Sequence, residues 1–589
     1  MKLTPNYLLF FLILAVFACQ QAPQADTPIY EIHKSVVADS AMVVAAHPLA
    51  TQVGLDVLKK GGNAIDAAVA VQFALAVVNP RAGNIGGGGF MVYRGNDGSV
   101  DAIDYREKAP AGAHRDMYLD SIGDIIPNLS RVGHLANGVP GSVSGLTKAH
   151  SKHGRLPFAD VINPAIELAA DGFKITRIEA ARLNRLQEAF NKVNTQPSVF
   201  VKDTFLIGEL LVQKDLAETL TRIRDNGRDG FYKGKTAQLI VEEMQRGGGL
   251  ISLEDLANYE AQWRTPLTSD YKNYKIISMP PASSGGVALI QMLEMIEPYP
   301  ISEWGMHDPR SMHLMVEAMR RAYADRAEHL GDSDFYDVPL ESLMDNAYLM
   351  EQMESFSVDS AGSSESILAG NFELRKESFE TTHTSVVDAE GNAVSVTTTI
   401  NSGYGNKLVV GGAGFFMNNE MDDFSSKPGV PNQFGLVGAE ANSIQPGKRM
   451  LSSMTPTILE KDGDLFMVVG APGGSTIITA VFQVIVNVIE FDQNLAEAVS
   501  AVRIHHQWLP DEIKVEGGEF DSLVTANLAA KNIGRKRIDG IALKQMENMG
   551  HKIDMVTRMA LVKAVHVMED GKLHGMGDPR NPDDDAKGY

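Results

Sequence analysis

The chain has 589 residues, and 44% of them are apolar, which is enough to bury the cores of about two to four average domains or of one large layered body. Its 74 acidic and 53 basic residues give a formal net charge of −21, and the basic residues form no extended cluster along the sequence. Because nucleic-acid phosphates are bound by clustered Lys and Arg, this composition excludes an extended nucleic-acid surface.

The N-terminus resembles a targeting segment. Lys2 supplies a positive charge, the eleven residues Leu8 to Ala18 are all apolar, and Cys19 follows directly. That apolar run is well short of the roughly 20 residues that a membrane-spanning helix needs. The lone thiol and the polar tail after it resemble a bacterial lipoprotein signal. We therefore expect a signal peptide over 1–18, lipidation of Cys19, a tether over 19–36, and an exported protein held on the periplasmic side or at the outer membrane. A soluble protein cut near Ala18 is the alternative.

Cysteine and histidine usage argues against a metal site. Cys19 is the only cysteine, which rules out internal disulfides, CxxC metal sites and a cysteine nucleophile in the body of the protein. His505 and His506 are adjacent, so they point apart in a helix or a strand, and no carboxylate follows them at ligand spacing. We expect both to be hydrogen-bonded structural histidines.

The predicted elements of the first half are mostly helical. Apolar residues recur at helical spacing over 50–79, where Gly61 ends one helix and Asn63, with Asp66 three residues on, caps the next. Two strands joined by a turn follow, Phe90 to Arg94 and Val100 to Arg106. Further helices are predicted over 159–171, 178–192, 209–226, 234–246, 285–298 and 307–330.

The second half changes character. The stretch 357–380 is rich in Ser and Gly and reads as a connection, and Thr382 to Val387 and Ala393 to Ile400 then alternate as strands around a turn. The later elements are a strand at Leu465 to Val469, a helix or buried segment at Ile477 to Ile489, and a strand at Leu561 to Met568. Helix-rich and strand-rich stretches at both ends favour one α+β layered body over independent domains.

Several motifs suggest a site, each beside a structural alternative. The glycine run 83–90 lacks the Lys and Ser/Thr of a phosphate loop, so it marks either a close backbone approach or a turn. Gly473 and Gly474 offer the N–H groups of an oxyanion hole or form a tight turn. Arg106 is a carboxylate clamp or a surface ion pair. The Pro/Gly-rich loop 418–440 is too long for a simple connection and suits a lid.

The run from Thr381 to Ser385, Thr-Thr-His-Thr-Ser, places four hydroxyls beside an imidazole. It is either an ordinary polar strand edge or the location of a nucleophile. In strand geometry Thr381, His383 and Ser385 share one face and Thr382 and Thr384 share the other, so the five residues cannot form one site.

Six motifs in order together resemble one family. They are DYREKAP, TTHTSVVDAEGNAVSVT, NNEMDDFSSKPGVPN, LSSMTPT, GAPGGST and RIHHQWLPDE. This set is similar to that of the gamma-glutamyltranspeptidases, and the resemblance runs from about residue 37 to Tyr589. It implies an N-terminal-nucleophile hydrolase with a four-layer αββα sandwich formed jointly by two subunits.

In that family the precursor cuts itself before the first Thr of the hydroxyl run. The resemblance therefore implies a cut between Glu380 and Thr381, a large subunit over 37–380 and a small subunit over 381–589. The cut would leave Thr381 with a free α-amino group, whose pKa of about 7.7 makes it several hundred times more available as a base at neutral pH than a lysine with a pKa of about 10.4. Before cleavage the same nitrogen is an amide and cannot accept a proton. His383 is then a structural group.

The resemblance also implies roles for the other motif residues. Phe434 takes the place of an aromatic lid residue. The rest hold the γ-glutamyl donor or the transition state: Arg106, Ser452 and Ser453 at the α-carboxylate, Asn401, Glu420 and Asp423 at the α-ammonium group, Gly473 and Gly474 at the oxyanion, and Thr399 at the hydroxyl of Thr381.

The implied activity is γ-glutamyl transfer from glutathione or its conjugates to water, amino acids or peptides, without a metal or organic cofactor. Two alternatives stay open. One is an acylase of the same superfamily acting on glutaryl-cephalosporins, which the full-length loop and Arg106 disfavour. The other is an unprocessed surface lipoprotein that uses the fold for binding, which the complete set of catalytic residues disfavours.

Overall fold

Two seven-stranded antiparallel sheets lie face to face at the centre of the protein. The computed structural model describes residues 29–367, 381–427, 429–430, 432–433 and 435–589, together with all their side chains except that of Leu523. The predicted signal peptide, Cys19, Glu380 and Phe434 lie outside the described residues. No described helix is both long and apolar enough to cross a bilayer.

Each sheet draws strands from both sides of residue 381. Sheet A contains, in spatial order, Ser35–Ala38, Leu573–Met576, Lys563–Val567, Asp464–Gly470, Thr457–Lys461, Tyr274–Ser278 and Leu267–Tyr271. Sheet B contains Asp585–Gly588, Met42–Ala45, Thr382–Val387, Ala393–Thr399, Gly88–Arg94, Val100–Asp104 and Gln262–Arg264. Smaller sheets join Ile504–His505, Ile513–Glu516 and Ile553–Val556, and Phe173–Lys174 with Leu210–Leu211.

Helices cover the outer face of each sheet. Helix Ala64–Val78 lies on sheet B, and helices Gly285–Ile296 and Thr476–Ile489 lie on sheet A. The remaining helices are Pro48–Lys59, Ser142–His153, Phe158–Asp171, Arg177–Arg185, Gln187–Val193, Lys214–Asn226, Asp229–Tyr232, Gly234–Gly247, Leu253–Asn258, Ile301–Trp304, Pro309–His329, Leu340–Leu343, Asn346–Met353, Leu495–Ser500, Ser522–Ala530 and Gly540–Asn548. Residues Ile32–Tyr589 form one compact unit. The predicted α+β four-layer αββα class is confirmed.

The central strand Thr382–Val387 explains why so polar a run is buried on both faces. Ser385 Oγ donates to the carbonyl of Lys563 in sheet A at 3.2 Å. On the opposite face, Gln72 of helix Ala64–Val78 donates to Thr384 Oγ1 at 3.0 Å. The predicted division of the hydroxyl run between two faces is therefore confirmed: Ser385 bonds to the opposite sheet and Thr384 to the covering helix.

Most predicted elements are present, with local differences. Asn63 caps helix Ala64–Val78 in a reciprocal capping box with Asp66, as expected. The helix predicted over 178–192 is broken at Leu186, whose φ of −101° and ψ of 4° leave the helical region. The segment predicted to be helical from 209 begins instead as strand Leu210–Leu211, because its backbone pairs with Phe173–Lys174. The second predicted strand ends at Asp104 rather than at Arg106.

Candidate active site

Two threonines face each other where neighbouring strands of sheet B end. The register pairs Thr382 with Thr398, so Thr381 comes before one strand directly opposite Thr399 at the end of the next. Thr381 Oγ1 points at Thr399 Oγ1 at 3.5 Å, and the N–H of Asn401 donates to Thr399 Oγ1 at 2.7 Å. The first distance is longer than that of an ordinary hydrogen bond between hydroxyls. Thr399 is thus placed to orient the hydroxyl of Thr381.

The glycine run before strand Gly88–Arg94 lets the backbone approach this pair. A Cβ at Gly87 would lie 2.1 Å from the carbonyl oxygen of Thr399, and one at Gly89 would lie 2.4 Å from that of Thr397. Both distances are far inside van der Waals contact, so any side chain would push the strand away. Of the two interpretations of the run, the close backbone approach is confirmed.

His383 lies below the surface of the site and belongs to the core. It is fully buried, its Nδ1 lies 2.8 Å from Thr397 Oγ1, and its Nε2 lies 3.1 Å from Ser385 Oγ. Burial, aided by the positive charge of Lys563, lowers the pKa of the imidazole well below its usual value. Both ring nitrogens are engaged with neighbouring hydroxyls, so His383 serves as a hydrogen-bonding core residue.

A narrow pocket lies beside Thr381. Its lining gathers residues that are far apart in sequence: Arg106, Arg326, Thr381, Thr399, Asn401, Glu420, Asp423, Asn432, Leu436, Leu451, Ser452, Ser453, Met454, Gly474 and Ile477. Apart from Gly473, the immediate neighbour of Gly474, every described residue that we expected to touch the donor is among them.

Arg106 is buried, with 1% of its surface exposed, and each of its N–H groups has an acceptor inside the protein. The distance from Nη1 to Glu420 Oε1 is 2.6 Å. The complete set of acceptors is the carboxylates of Glu107, Glu420 and Asp423 and the backbone carbonyls of Met450 and Leu451. The surface ion pair considered from the sequence is therefore wrong. Arg106 is bound to Glu420 and Asp423, the carboxylates that we expected to face the ammonium group.

Three carboxylates around one guanidinium carry unusual pKa values. Burial is the main cause, and it outweighs the attraction of Arg106 at each of them. It raises the pKa of Glu107 to about 8, that of Asp423 to about 6, and that of Glu420 well above its usual value. One guanidinium cannot neutralise three buried carboxylates, so the pKa of each lies above its ordinary range.

The glycine pair lies at the start of helix Thr476–Ile489. Gly473 has a φ of 149° and Gly474 a φ of 55°, conformations that side chains disfavour. A Cβ at Gly473 would lie 2.6 Å from Ala560. Gly474 lines the pocket next to the N-terminal end of the helix, where the partial positive charge of the helix dipole favours an anion. This is a suitable environment for a tetrahedral oxyanion.

Comparisons with known proteins agree with this geometry. The model of the gamma-glutamyltranspeptidase family matches residues 50–588. The chain belongs to this family. A glutathione hydrolase proenzyme of Escherichia coli strain K12 is 44% identical over 580 residues, 97% of this chain and 97% of that protein. The resemblance drawn from the six motifs is therefore confirmed.

Solved structures agree on the fold. The crystal structure of Helicobacter pylori gamma-glutamyltranspeptidase, 43% identical, matches 58% of this chain and 97% of that chain with a TM-score of 0.54. The structure of a cephalosporin acylase from Bacillus halodurans matches 97% of this chain and 99% of that chain with a TM-score of 0.79 at 24% identity, which is a likeness of fold.

The transpeptidase-type pocket includes residues that sequence reasoning missed. Arg326, on helix Pro309–His329, is one of them, and its helical segment carries several other arginines without a distinguishing pattern. Asn432 and Leu436 come from the loop 418–440, whose described residues fold over the pocket; the N–H of Asn432 donates to the carbonyl of Leu436 at 3.1 Å. The length of the loop pointed to these two, but nothing pointed to Arg326.

The adjacent histidines His505 and His506 both take part in hydrogen bonds. His505 Nδ1 lies 2.8 Å from Thr479 Oγ1, and His506 Nε2 lies 3.2 Å from Asp511, so the expected structural role fits both. One other group, His313, Glu317 and His551, brings its possible ligand atoms within 4.8 Å of one another. The carboxylate of Glu317 is already paired with Arg320 and Arg321. A cation there would compete with two guanidinium groups, so we assign no metal to it.

Proposed function

We propose that this chain is a self-processing γ-glutamyltransferase and glutathione hydrolase with Thr381 as its nucleophile. The observation that carries the proposal is the opposition of Thr381 and Thr399 at a pocket lined by Arg106 and two carboxylates. A hydroxyl beside charges of both signs suits a substrate whose one end is a zwitterion and whose other end is an amide.

Cleavage before Thr381 supplies the base for the reaction. The freed α-amino group takes the proton of Thr381 Oγ1 as the oxygen attacks the γ-carbonyl carbon of the donor. The N–H groups at Gly473 and Gly474 stabilise the oxyanion. When the tetrahedral intermediate collapses, the C–N bond breaks and the proton passes to the departing amine, which leaves a γ-glutamyl ester on Thr381. Water or an amino acid then attacks this ester and regenerates the hydroxyl.

The ion pairs of Arg106 favour a donor with both an ammonium and a carboxylate group. An ammonium group bound to Asp423, Glu420 and Asn401 takes over carboxylate acceptors that now serve Arg106, and the released edge of Arg106 can bind the carboxylate beside Ser452. A glutaryl group has no ammonium. If its carboxylate drew Arg106 away from the buried carboxylates, no cation would replace the guanidinium, and these carboxylates would be left unpaired. The site therefore suits γ-glutamyl amides better than the glutaryl amides of an acylase.

The test of the proposal is self-cleavage. Purified chain should separate on a denaturing gel into fragments of roughly 40 and 23 kDa, scaled from the 63.8 kDa of the whole chain. N-terminal sequencing should begin the smaller fragment at Thr381, and the sample should release 4-nitroaniline from γ-glutamyl-4-nitroanilide. A chain that stays intact during long incubation would reject the enzyme and support the unprocessed binding protein.

The expected partners and location form a further part of this proposal. The two fragments would remain together as a heterodimer, since strands from before and after residue 381 pair with one another in both sheets. Export through the segment 1–18 and a lipid on Cys19 would place the enzyme on the outer side of the inner membrane or at the outer membrane. In cells fed radioactive palmitate, the wild-type chain should be labelled and Cys19→Ser should not. Equal labelling of both chains would contradict a lipid anchor at Cys19.

A further inference from the structure

Arg326 is a buried cation that pairs with no carboxylate of the described residues. Only 4% of its surface is exposed, and it lines the pocket beside Thr381. Its Nε donates to Ser284 Oγ at 3.0 Å and its Nη2 to Ser453 Oγ at 3.3 Å. Within the described part of the chain, these hydroxyls are its hydrogen-bond partners and no carboxylate lies within ion-pair distance. Buried charges in proteins are normally paired, so the guanidinium of Arg326 is suited to bind an anion.

Arg326 and Arg106 differ in the charge of their hydrogen-bond partners. Arg106 has three carboxylates around it and no N–H group to spare, whereas the partners of Arg326 among the described residues are neutral hydroxyls. Burial lowers the pKa of Arg326 to about 10, which still leaves it charged at neutral pH. The carboxylate of Asp423 favours the charged form of Arg326 from a distance, but it is itself bound to Arg106. Of the two pocket cations, Arg326 is the one that can receive an incoming anion without first breaking an ion pair.

The hydroxyls that Arg326 holds are part of the carboxylate end of the pocket. Ser284 donates to the carbonyl of Ser452 through its side chain at 2.7 Å and through its backbone N–H at 2.8 Å. Arg326 therefore fixes the segment that carries Ser452 and Ser453 and, at the same time, presents positive charge next to Ser453. A carboxylate bound between Ser453 and Arg326 would complete the coordination of both.

We infer that Arg326 binds the α-carboxylate of the donor together with Ser453, as a second cation beside Arg106. This inference rests on the proposed γ-glutamyl activity and deepens it. Arg326 receives the carboxylate first, and Arg106 joins when the donor's ammonium group has displaced it from Asp423. The pocket thus recognises the α-carboxylate of the donor with two arginines: Arg326, which pairs with no carboxylate of the described residues, and Arg106, which must first release Asp423.

The test pairs a change in the protein with a change in the substrate. Arg326→Gln and Arg326→Lys are compared with wild type on γ-glutamyl-4-nitroanilide and on 4-aminobutanoyl-4-nitroanilide, which lacks only the α-carboxylate. Arg310→Gln, an exposed arginine of the same helix, is the control for removing a charge. All variants are first checked for cleavage before Thr381 and for an unchanged melting profile.

Arg326→Gln should lower kcat/KM for the γ-glutamyl donor by about 10- to 100-fold, the factor expected from one lost hydrogen bond to a charged group, and mainly through KM. For the donor without the carboxylate, the loss in kcat/KM should stay below about threefold, because this donor has no α-carboxylate for Arg326 to bind. Arg326→Lys should recover part of the affinity, and Arg310→Gln should match wild type.

Equal losses on both donors would show that Arg326 only supports the fold of the serine segment, and the inference would fail. Unchanged kinetics with both donors would remove Arg326 from the site altogether. Either result leaves the proposed function intact, because wild-type turnover of the γ-glutamyl donor is measured in the same experiment; absence of that turnover would reject the function itself.

Discussion

Thr381→Ala should abolish both self-cleavage and turnover. The variant lacks the hydroxyl that attacks the preceding peptide bond, so the α-amino group is never released, and it also lacks the nucleophile for the donor. We expect a single chain near 63.8 kDa on a denaturing gel. Turnover of γ-glutamyl-4-nitroanilide should fall by at least about 10⁴-fold, the scale on which removal of a nucleophile acts.

Two neighbouring substitutions make this result specific. Thr381→Ser keeps the hydroxyl and the α-amino group, so it should still cleave and turn over, at a reduced rate. Thr382→Val removes the adjacent hydroxyl, which is buried and has no hydrogen-bond partner among the described residues, so cleavage should proceed. Cleavage or turnover that survived in Thr381→Ala would mean that another group is the nucleophile.

The fold could be predicted where the sequence pattern has one physical solution. The capping box of Asn63 and Asp66 allows only a helix start, and alternation around a turn fixed the strand pair that ends at Thr399. Local pattern failed where tertiary pairing decided the outcome. Strand Leu210–Leu211 carries residues suited to a helix, and only its partner, Phe173–Lys174, which is distant in sequence, makes it extended.

The motifs of the sequence predicted most residues of the site. The ion pairs between these residues could not be predicted from the sequence. The motifs named Arg106, Glu420 and Asp423, but the sequence alone could not reveal that the arginine is latched to both carboxylates, because that depends on three segments meeting in space. Arg326 was missed for the same reason. Its helix carries a cationic run, and only the fold shows which of these guanidinium groups turns toward Ser453.

Arg106→Gln should both weaken binding of the donor and lower the stability of the protein. It removes the one cation shared by Glu107, Glu420 and Asp423, so their pKa values rise further and they take up protons. The donor's ammonium group then loses its anionic partners and its carboxylate loses a cation. We expect the donor KM to rise by at least about 100-fold, as for a truncated buried charge pair, while self-cleavage proceeds because this cluster serves the substrate and not the cut.

The matched control for Arg106 is another buried arginine outside the pocket. Arg94 joins sheet B to sheet A through Glu460 at 2.6 Å, and both side chains are buried. Because breaking a buried pair costs about 3 to 5 kcal/mol, Arg94→Gln and Arg106→Gln should lower the thermal midpoint to a similar extent. Only Arg106→Gln should raise KM, measured on the folded, cleaved fraction. If KM rose equally in both variants, the effect would be one of stability, and an unchanged KM in Arg106→Gln would take Arg106 out of the donor site.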